Sequence, residues 1–470
     1  MRRRTAPHGS LARLALVMAL LGAACSSDYD RLATNATTTT TNPRATTTTV
    51  AASASTTSTT LARPTTTPPP GGATPTTTTT TANTPGSPAA LPGRLAVIAL
   101  DGSLLTMRPD GTDQQALAIG SPGTSVTSPA WSRDASRLVW TALATNSVRV
   151  RSAKVDGTDV HDAVLAPQGS LYLWNSASSA LAALRATSNS SVELDTIDLT
   201  TLVATPLRTG APVYAAWSPD GTRLVVHAGT NEVSIISASG ALTTLPVAPA
   251  SFGAPAWLDD HTVLIGVRDA STQYLSLVDV NTGTRRDLVS YAGGMRFALA
   301  PEGKAVAYEL FPDAGGGTGA NVSFPQATTP PATSTTVPQA TPNQLAVIDV
   351  ATRAITTVSS SASTAFAWSP SGVRLAYLSP DPSGAYRWHY FGPDGTIDGA
   401  SYLPTRVFLQ QVTRSFDQLT QSVQWWSPDS SAFVYAGVAG SRTGVWVQQI
   451  KAGLAPTFIT DGDTVAWSPK

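Results

Sequence analysis

Ala216-Trp217-Ser218-Pro219-Asp220-Gly221-Thr222-Arg223-Leu224-Val225-Val226 reads as a strand end, a tight turn and a second strand. Pro219 presets φ near the start of the turn, and Gly221 accepts the positive φ with which the chain reverses. The β-branched run Leu224-Val225-Val226 suits a buried strand. Trp217, ending the first strand, carries a ring large enough to fill the space between two neighbouring units.

The passage recurs as Ala367-Trp368-Ser369-Pro370-Ser371-Gly372-Val373-Arg374-Leu375-Ala376-Tyr377. Weaker copies start at Trp131, Trp426 and Trp467, and degenerate ones at Trp174, Trp257 and Leu299, where the turn survives without its tryptophan. Successive anchors lie 43, 43, 40, 42, 69, 58 and 41 residues apart. A period near 40 residues built of short strands marks a β-propeller, one blade per repeat. A second series of reversals follows most anchors by about 20 residues: Pro109-Asp110-Gly111, Val155-Asp156-Gly157, Ala238-Ser239-Gly240, Asn281-Thr282-Gly283 and Pro393-Asp394-Gly395. These are hairpin turns by chemistry, joining third and outermost strands.

The ends of the repeat region complement each other. Arg94 to Leu100 begins as a second strand, whereas Thr464 to Lys470 is an innermost strand with nothing after it. The expectation is an all-β, eight-bladed β-propeller over residues 94–470, closed by a blade with one C-terminal and three N-terminal strands. Such closure removes exposed strand edges. Seven blades with one misassigned repeat is the structural alternative. The tandem motifs resemble the WD40-like repeats of TolB-type propellers and the propeller portion of actinobacterial envelope lipoproteins. That resemblance implies a fold more than a chemistry, because propellers host binding, scaffolding and catalysis alike.

Residues 1–24 separate from the rest: Arg2, Arg3 and Arg4 precede an uncharged apolar core, Leu14 to Ala24, 11 residues long. This is the pattern of a signal peptide, too short for a permanent transmembrane helix, which needs roughly 20 residues. The core ends at Gly22-Ala23-Ala24-Cys25, which resembles the bacterial lipoprotein box, with Gly22 where the family usually has leucine. The resemblance implies lipidation at Cys25 and a propeller outside the membrane, on the outer leaflet of the cell envelope. An ordinary secretory signal with a chance cysteine is the alternative. Cys25 is the only cysteine, so no internal disulfide framework is expected.

Residues 25–93 are dominated by Thr, Ala, Pro and Ser, too poor in apolar surface to offset the entropy of ordering them. A disordered stalk is expected, with a second disordered stretch of like composition inserted at 312–342. Without the signal peptide, 26 bases face 30 acids, which gives no polybasic footprint for nucleic acid.

No catalytic constellation and no cofactor or metal motif is apparent. Five histidines, His8, His161, His227, His261 and His389, stand too far apart for a short metal motif. Asp110, Asp113, Asp156, Asp159, Asp220 and Asp394 sit in turns, where aspartate is favoured for its backbone hydrogen bonds. Asp259-Asp260 reads likewise as a solvated reversal. The chain contains no Gly-x-Ser-x-Gly elbow of a serine peptidase.

The tight turns all fall on one face of a propeller. The long connection Ile397–Gln421 and the insertion fall on the other, which is therefore the candidate working face. Near it lies the densest aromatic stretch, Tyr386-Arg387-Trp388-His389-Tyr390-Phe391. Alternation sends Trp388 and Tyr390 to one side and His389 to the other. Trp388, His389, Tyr390 and Trp446 are the candidate ligand-binding residues, with packing between blades as the more economical reading for the aromatics. The function expected is a non-catalytic module binding an envelope or secreted protein. The alternative is carbohydrate binding or a wall-acting hydrolase using the central channel, which would need a pair of carboxylates there.

Overall fold

The second strand of the Trp217 repeat, Arg223–Ala228, is buried along almost its whole length, whereas the outermost strand of the same sheet, Leu242–Thr244, is exposed throughout. That gradient recurs: Ala305–Phe311 is nearly all buried and Ile355–Ser359 mostly exposed. Inner strands are covered on both faces by neighbouring sheets, so Val, Ile, Leu and Ala fill them. Threonine dominates the rim, where β-propensity must combine with solvation.

The computed structural model describes residues 91–470, apart from 145–146, 166–169, 189–190, 211–212, 230–231, 238, 251–252, 312–336, 414–415 and 421. The expected signal peptide, Cys25 and most of the stalk lie outside the described residues. Six antiparallel sheets have four strands and one has seven. Five of the four-stranded sheets follow in chain order: Thr124–Trp131 to His161–Leu165, Ser170–Trp174 to Ala204–Gly210, Val213–Trp217 to Leu242–Thr244, Ala256–Trp257 to Arg285–Tyr291, and Gly294–Leu299 to Ile355–Ser359. The seven-stranded sheet runs from Ala365–Trp368 to Thr457–Thr460.

The sixth four-stranded sheet joins the two ends of the described chain. Thr464–Trp467 pairs with Leu95–Ile98 in the register Leu95↔Trp467 to Ile98↔Thr464, and Leu104–Met107 and Gln115–Ala118 complete it. This is the closing sheet expected from the complementary ends. Apolar cores lie between successive sheets, such as Val225 and Ile235 against Val263 and Ile265. The last seam sets Val434 and Val447 against Leu95 and Val97 of the closing sheet. Each sheet thus packs on the next and the last on the first, which defines a β-propeller.

The anchor tryptophans do more than fill seams. Most indole N–H groups reach back one repeat and donate to the carbonyl just before the preceding anchor. Trp174 donates to Ala130 at 3.2 Å, Trp217 to Leu173 at 2.8 Å and Trp257 to Ala216 at 3.0 Å. Trp368 donates to Ala298 at 3.0 Å, Trp426 to Ala367 at 3.1 Å and Trp131 to Ala466 at 3.4 Å. The relay changes at two places. Leu299 has no indole, and Trp467 donates to the carbonyl of Pro92 at 2.9 Å.

Where a serine follows the anchor, it has an equally defined role. Ser218 Oγ accepts the Arg223 N–H at 3.0 Å and donates to Asp220, which in turn accepts the Thr222 N–H at 3.0 Å. Ser132, Ser369 and Ser427 accept the N–H five residues on in the same way. Gly221, at φ +72°, makes the reversal expected of it. Ala135, Ser178 and Ser430 hold a comparable positive φ in the copies at Trp131, Trp174 and Trp426, without glycine's freedom.

Candidate functional site

The aromatic stretch alternates as expected, with Trp388 and Tyr390 buried and His389 on the opposite face of the strand Tyr386–Gly392. Burial removes Trp388 and Tyr390 as an exposed platform. The Trp388 ring packs 4.6 Å from Phe433 and 5.4 Å from Trp425, and Tyr390 meets Trp426 edge-on at 5.7 Å. His389 stacks on Tyr377 at 4.7 Å, between Ser379 Oγ at 2.9 Å and Asp398 Oδ1 at 2.7 Å. Trp446 donates its indole N–H to the Gly437 carbonyl at 3.0 Å and meets Phe458 edge-on. These four candidates do not converge on one pocket; each has its own partners.

The long connection is shorter than the sequence suggests, because residues 395–404 form the strand Gly395–Pro404. Its first part pairs with the strand before it, and Leu403 and Pro404 pair with Val438 and Gly437 of the strand after it. Alternating Ile397, Tyr402 and neighbours extend the sheet where a loop was expected. The irregular part therefore starts at Thr405. It contains a π-helical turn, Phe408–Val412, and one α-helical turn, Phe416–Leu419.

Aromatic packing fixes this connection. Phe416 lies parallel to Trp425 at 6.4 Å and edge-on to Phe366 at 5.2 Å. The Arg296 guanidinium sits over Phe366 at 5.7 Å and over Phe416 at 5.4 Å. It also donates to Glu309 at 2.9 Å and to the carbonyl of Ser363. Glu309, almost wholly buried, accepts further hydrogen bonds from the Ser363 N–H and hydroxyl. A buried carboxylate with that many donors has no open valence.

The expected insertion also ends earlier than 342. Pro338 and Ala340 exchange hydrogen bonds with Ser290 on the outer strand of the preceding sheet, and Ala340 is buried. Residues 312–336 lie outside the described residues.

Turn aspartates divide into two groups. Asp110, Asp156 and Asp220 accept the N–H two residues on; the Thr158 hydroxyl and N–H hold the Asp156 carboxyl below the usual range, and the Ser218 hydroxyl and Thr222 N–H do the same for Asp220. Asp113, Asp159 and Asp394 instead pair with Arg94, Arg137 and Arg374. Asp260 is more than a solvated reversal, since its Oδ1 accepts the Asp220 N–H of the preceding sheet at 2.8 Å. His161, His261 and His389 each have a side-chain partner in their own sheet, and buried His227 faces the Gly253 carbonyl, so burial pushes its pKa down to about 4. Among the described residues no group of three or more metal-ligating side chains forms.

Two recesses remain. The larger, about 860 Å³, lies between the Trp257 and Leu299 sheets and is lined by Leu258, Thr262, Arg285, Arg286, Lys304 and Asp349 among others. It opens where the relay fails. In the preceding seam Arg223 stacks on Trp257 at 5.5 Å, and here those two positions hold Thr262 and Leu299. The smaller, about 50 Å³, lies where the long connection meets the closing strand and is lined by Trp388, Phe408, Trp425, Tyr435, Asp463 and Thr464. Burial pushes the Asp463 carboxyl up to about 6. Neither Asp463 nor the Arg296–Glu309 pair was singled out by sequence, since both acquire meaning only through residues far along the chain.

No family model and no curated protein matches the sequence. Solved structures similar to it include TolB from Acinetobacter baumannii, 14% identical over 74% of this chain and 83% of that one, with a TM-score of 0.37. An oligogalacturonate lyase in complex with manganese is 14% identical over 80% of this chain and 85% of its own, TM-score 0.42. The β-propeller domain of the Trilobed protease from Pyrococcus furiosus is 10% identical over 73% of this chain and 99% of its own, TM-score 0.43. These neighbours include an enzyme and a protein described only by name, so the functional reading rests on the molecule itself.

Proposed function

We propose that this chain is a lipid-anchored, extracytoplasmic propeller of a bacterial envelope, with eight blades, that binds an envelope or secreted protein without catalysing a reaction. The eight-blade reading takes the seven-stranded sheet as two blades fused through Leu403 and Pro404. Trp426, bridged to Phe433, then supplies the innermost strand of the second.

One observation carries the reading. Pro92 and Arg94 join the propeller beside Trp467 and Ser468, on the face of the tight turns, whereas the connection from Thr405 onward emerges on the opposite face. The chain therefore enters the propeller on its tight-turn face. The elaborated face, built rigid by its aromatic packing, is then the one free for a partner.

The test places a photo-crosslinking residue at Leu403, 52% exposed beside the connection, or at Val160, 56% exposed on the tight-turn face. Discrete adducts in intact envelopes are expected from position 403 and none from 160. Adducts from both positions or from neither overturn the reading. For the anchor, Cys25→Ala should move the protein from membrane to medium; full membrane retention contradicts lipidation there.

A further inference from the structure

The smaller recess has an unusual chemistry for its size. Four aromatic side chains, Trp388, Phe408, Trp425 and Tyr435, line it together with one carboxylate, Asp463, and no lysine, arginine or histidine is among the lining residues. The Asp463 backbone is pinned on both sides: its N–H donates to the Ile98 carbonyl at 3.0 Å, and its carbonyl accepts the Thr405 hydroxyl at 2.8 Å. Its side chain thus has little freedom to turn elsewhere. Asp463 Oδ1, the Tyr435 hydroxyl and the Thr464 hydroxyl are each sealed from solvent without a well-formed hydrogen bond, and the Thr464 hydroxyl beside the Asp463 carboxyl only partly offsets the burial of its charge.

A buried carboxylate with an unmet acceptor is unfavourable unless it is neutralised or matched by a cation. Aromatic rings present a negative face and attract cations in the same place. The recess therefore offers a cation one carboxylate, several ring faces and two unfilled acceptors, Asp463 Oδ1 and the Tyr435 hydroxyl. Its space of about 50 Å³ is above the roughly 10–15 Å³ that one water needs, which suits a head group and not a sugar ring. One carboxylate and one phenol are too few oxygens for calcium or magnesium, which take about six to eight.

We propose that this recess binds the ammonium head of a primary alkylamine, with Asp463 and Tyr435 accepting its N–H bonds and the rings of Trp388, Phe408 and Trp425 enclosing its first carbons. The site stands apart from the protein-binding reading above, since either a lysine side chain of a partner or a free amine carries this head group. Binding the cation requires the ionised carboxylate. A carboxyl that titrates near 6 when the recess is empty is about nine-tenths protonated at pH 5.

The experiment titrates the full chain with n-butylammonium chloride and with Nα-acetyl-lysine N-methylamide at fixed ionic strength, followed by calorimetry, with n-butanol as the uncharged control. Saturable one-to-one binding of an amine is expected at pH 7.5, weakening about tenfold at pH 5. Asp463→Asn should weaken it by at least roughly tenfold and Tyr435→Phe by a smaller factor, with n-butanol inert. Thermal melts check folding independently: because burial disfavours the charge, Asp463→Asn should melt higher than the native chain at pH 7.5, with the gain fading as pH falls from about 6 toward 4. Tighter binding of the lysine derivative assigns the site to a partner's lysine, and equal binding assigns it to free amines. No saturable binding of either amine, or equal binding by Asp463→Asn, overturns the proposal.

Discussion

In the Trp217 sheet and in the closing sheet the same bonds are made by very different stretches of chain. Ser218 donates its N–H to Arg223 at 2.8 Å and accepts the Arg223 N–H on Oγ at 3.0 Å, across a five-residue turn. Ser468 donates its N–H to Arg94 at 2.8 Å and accepts the Arg94 N–H on Oγ at 2.8 Å, across 374 residues of sequence. Leu224 opposite Trp217 corresponds to Leu95 opposite Trp467. The closing sheet is a hairpin of the same kind with its turn cut open.

The difference lies in entropy and not in contacts. Bringing together ends separated by hundreds of residues instead of five costs an unstructured chain about 4 kcal/mol more. Closure therefore depends on the intervening sheets being in place, and it carries the cooperativity of the whole ring. Gly93 marks how tightly the joint is made: at φ +81°, a side chain there would meet Ser468 Oγ at 2.7 Å.

Removing Asp463–Lys470 should break the comparison most severely. It strips Leu95–Ile98 of its partner strand, and urea unfolding should lose its single cooperative transition. A sharp transition that survives unchanged would show that closure is dispensable. Next, Trp467→Ala should cost about 4 kcal/mol and Trp217→Ala about 2 kcal/mol by chemical denaturation. Trp467 is fully buried and clasps Pro92, whereas Trp217 is only partly buried. Equal losses would place the two seams on the same footing. The smallest effect should come from Ser468→Ala and Ser218→Ala, each about 1 kcal/mol, since each removes only the hydrogen bonds of one hydroxyl. A much larger loss at Ser468 would mean that the joint, and not the strand pairing, holds the ring.

The fold was legible because its determinants are local. Proline at one turn position, glycine two residues on and a β-branched run fix a hairpin whatever surrounds it, and the fifth copy could be placed even without its tryptophan. Ala135, Ser178 and Ser430 show that the turn geometry persists where glycine is absent, held by the sheets around it. Alternation alone sorted Trp388 and Tyr390 from His389, but not what the buried rings would touch. The strand Gly395–Pro404 was read as loop because its role, linking two sets of strands through Leu403 and Pro404, is a property of the sheet.

The candidate site was much less legible. An indole that donates to a carbonyl of the preceding sheet leaves no mark in sequence, since every residue carries a carbonyl. The Arg296–Glu309 pair spans two adjacent strands and meets Phe416 from the far side of the next sheet.

By itself the sequence determined the repeat, its turns and the complementary ends, because these follow from backbone preferences within about ten residues. Only the tertiary structure decided that Asp463, at the edge of the closing strand, lines a recess together with rings drawn from distant parts of the chain. Burial and missing partners are long-range properties, and no local pattern of residues encodes them.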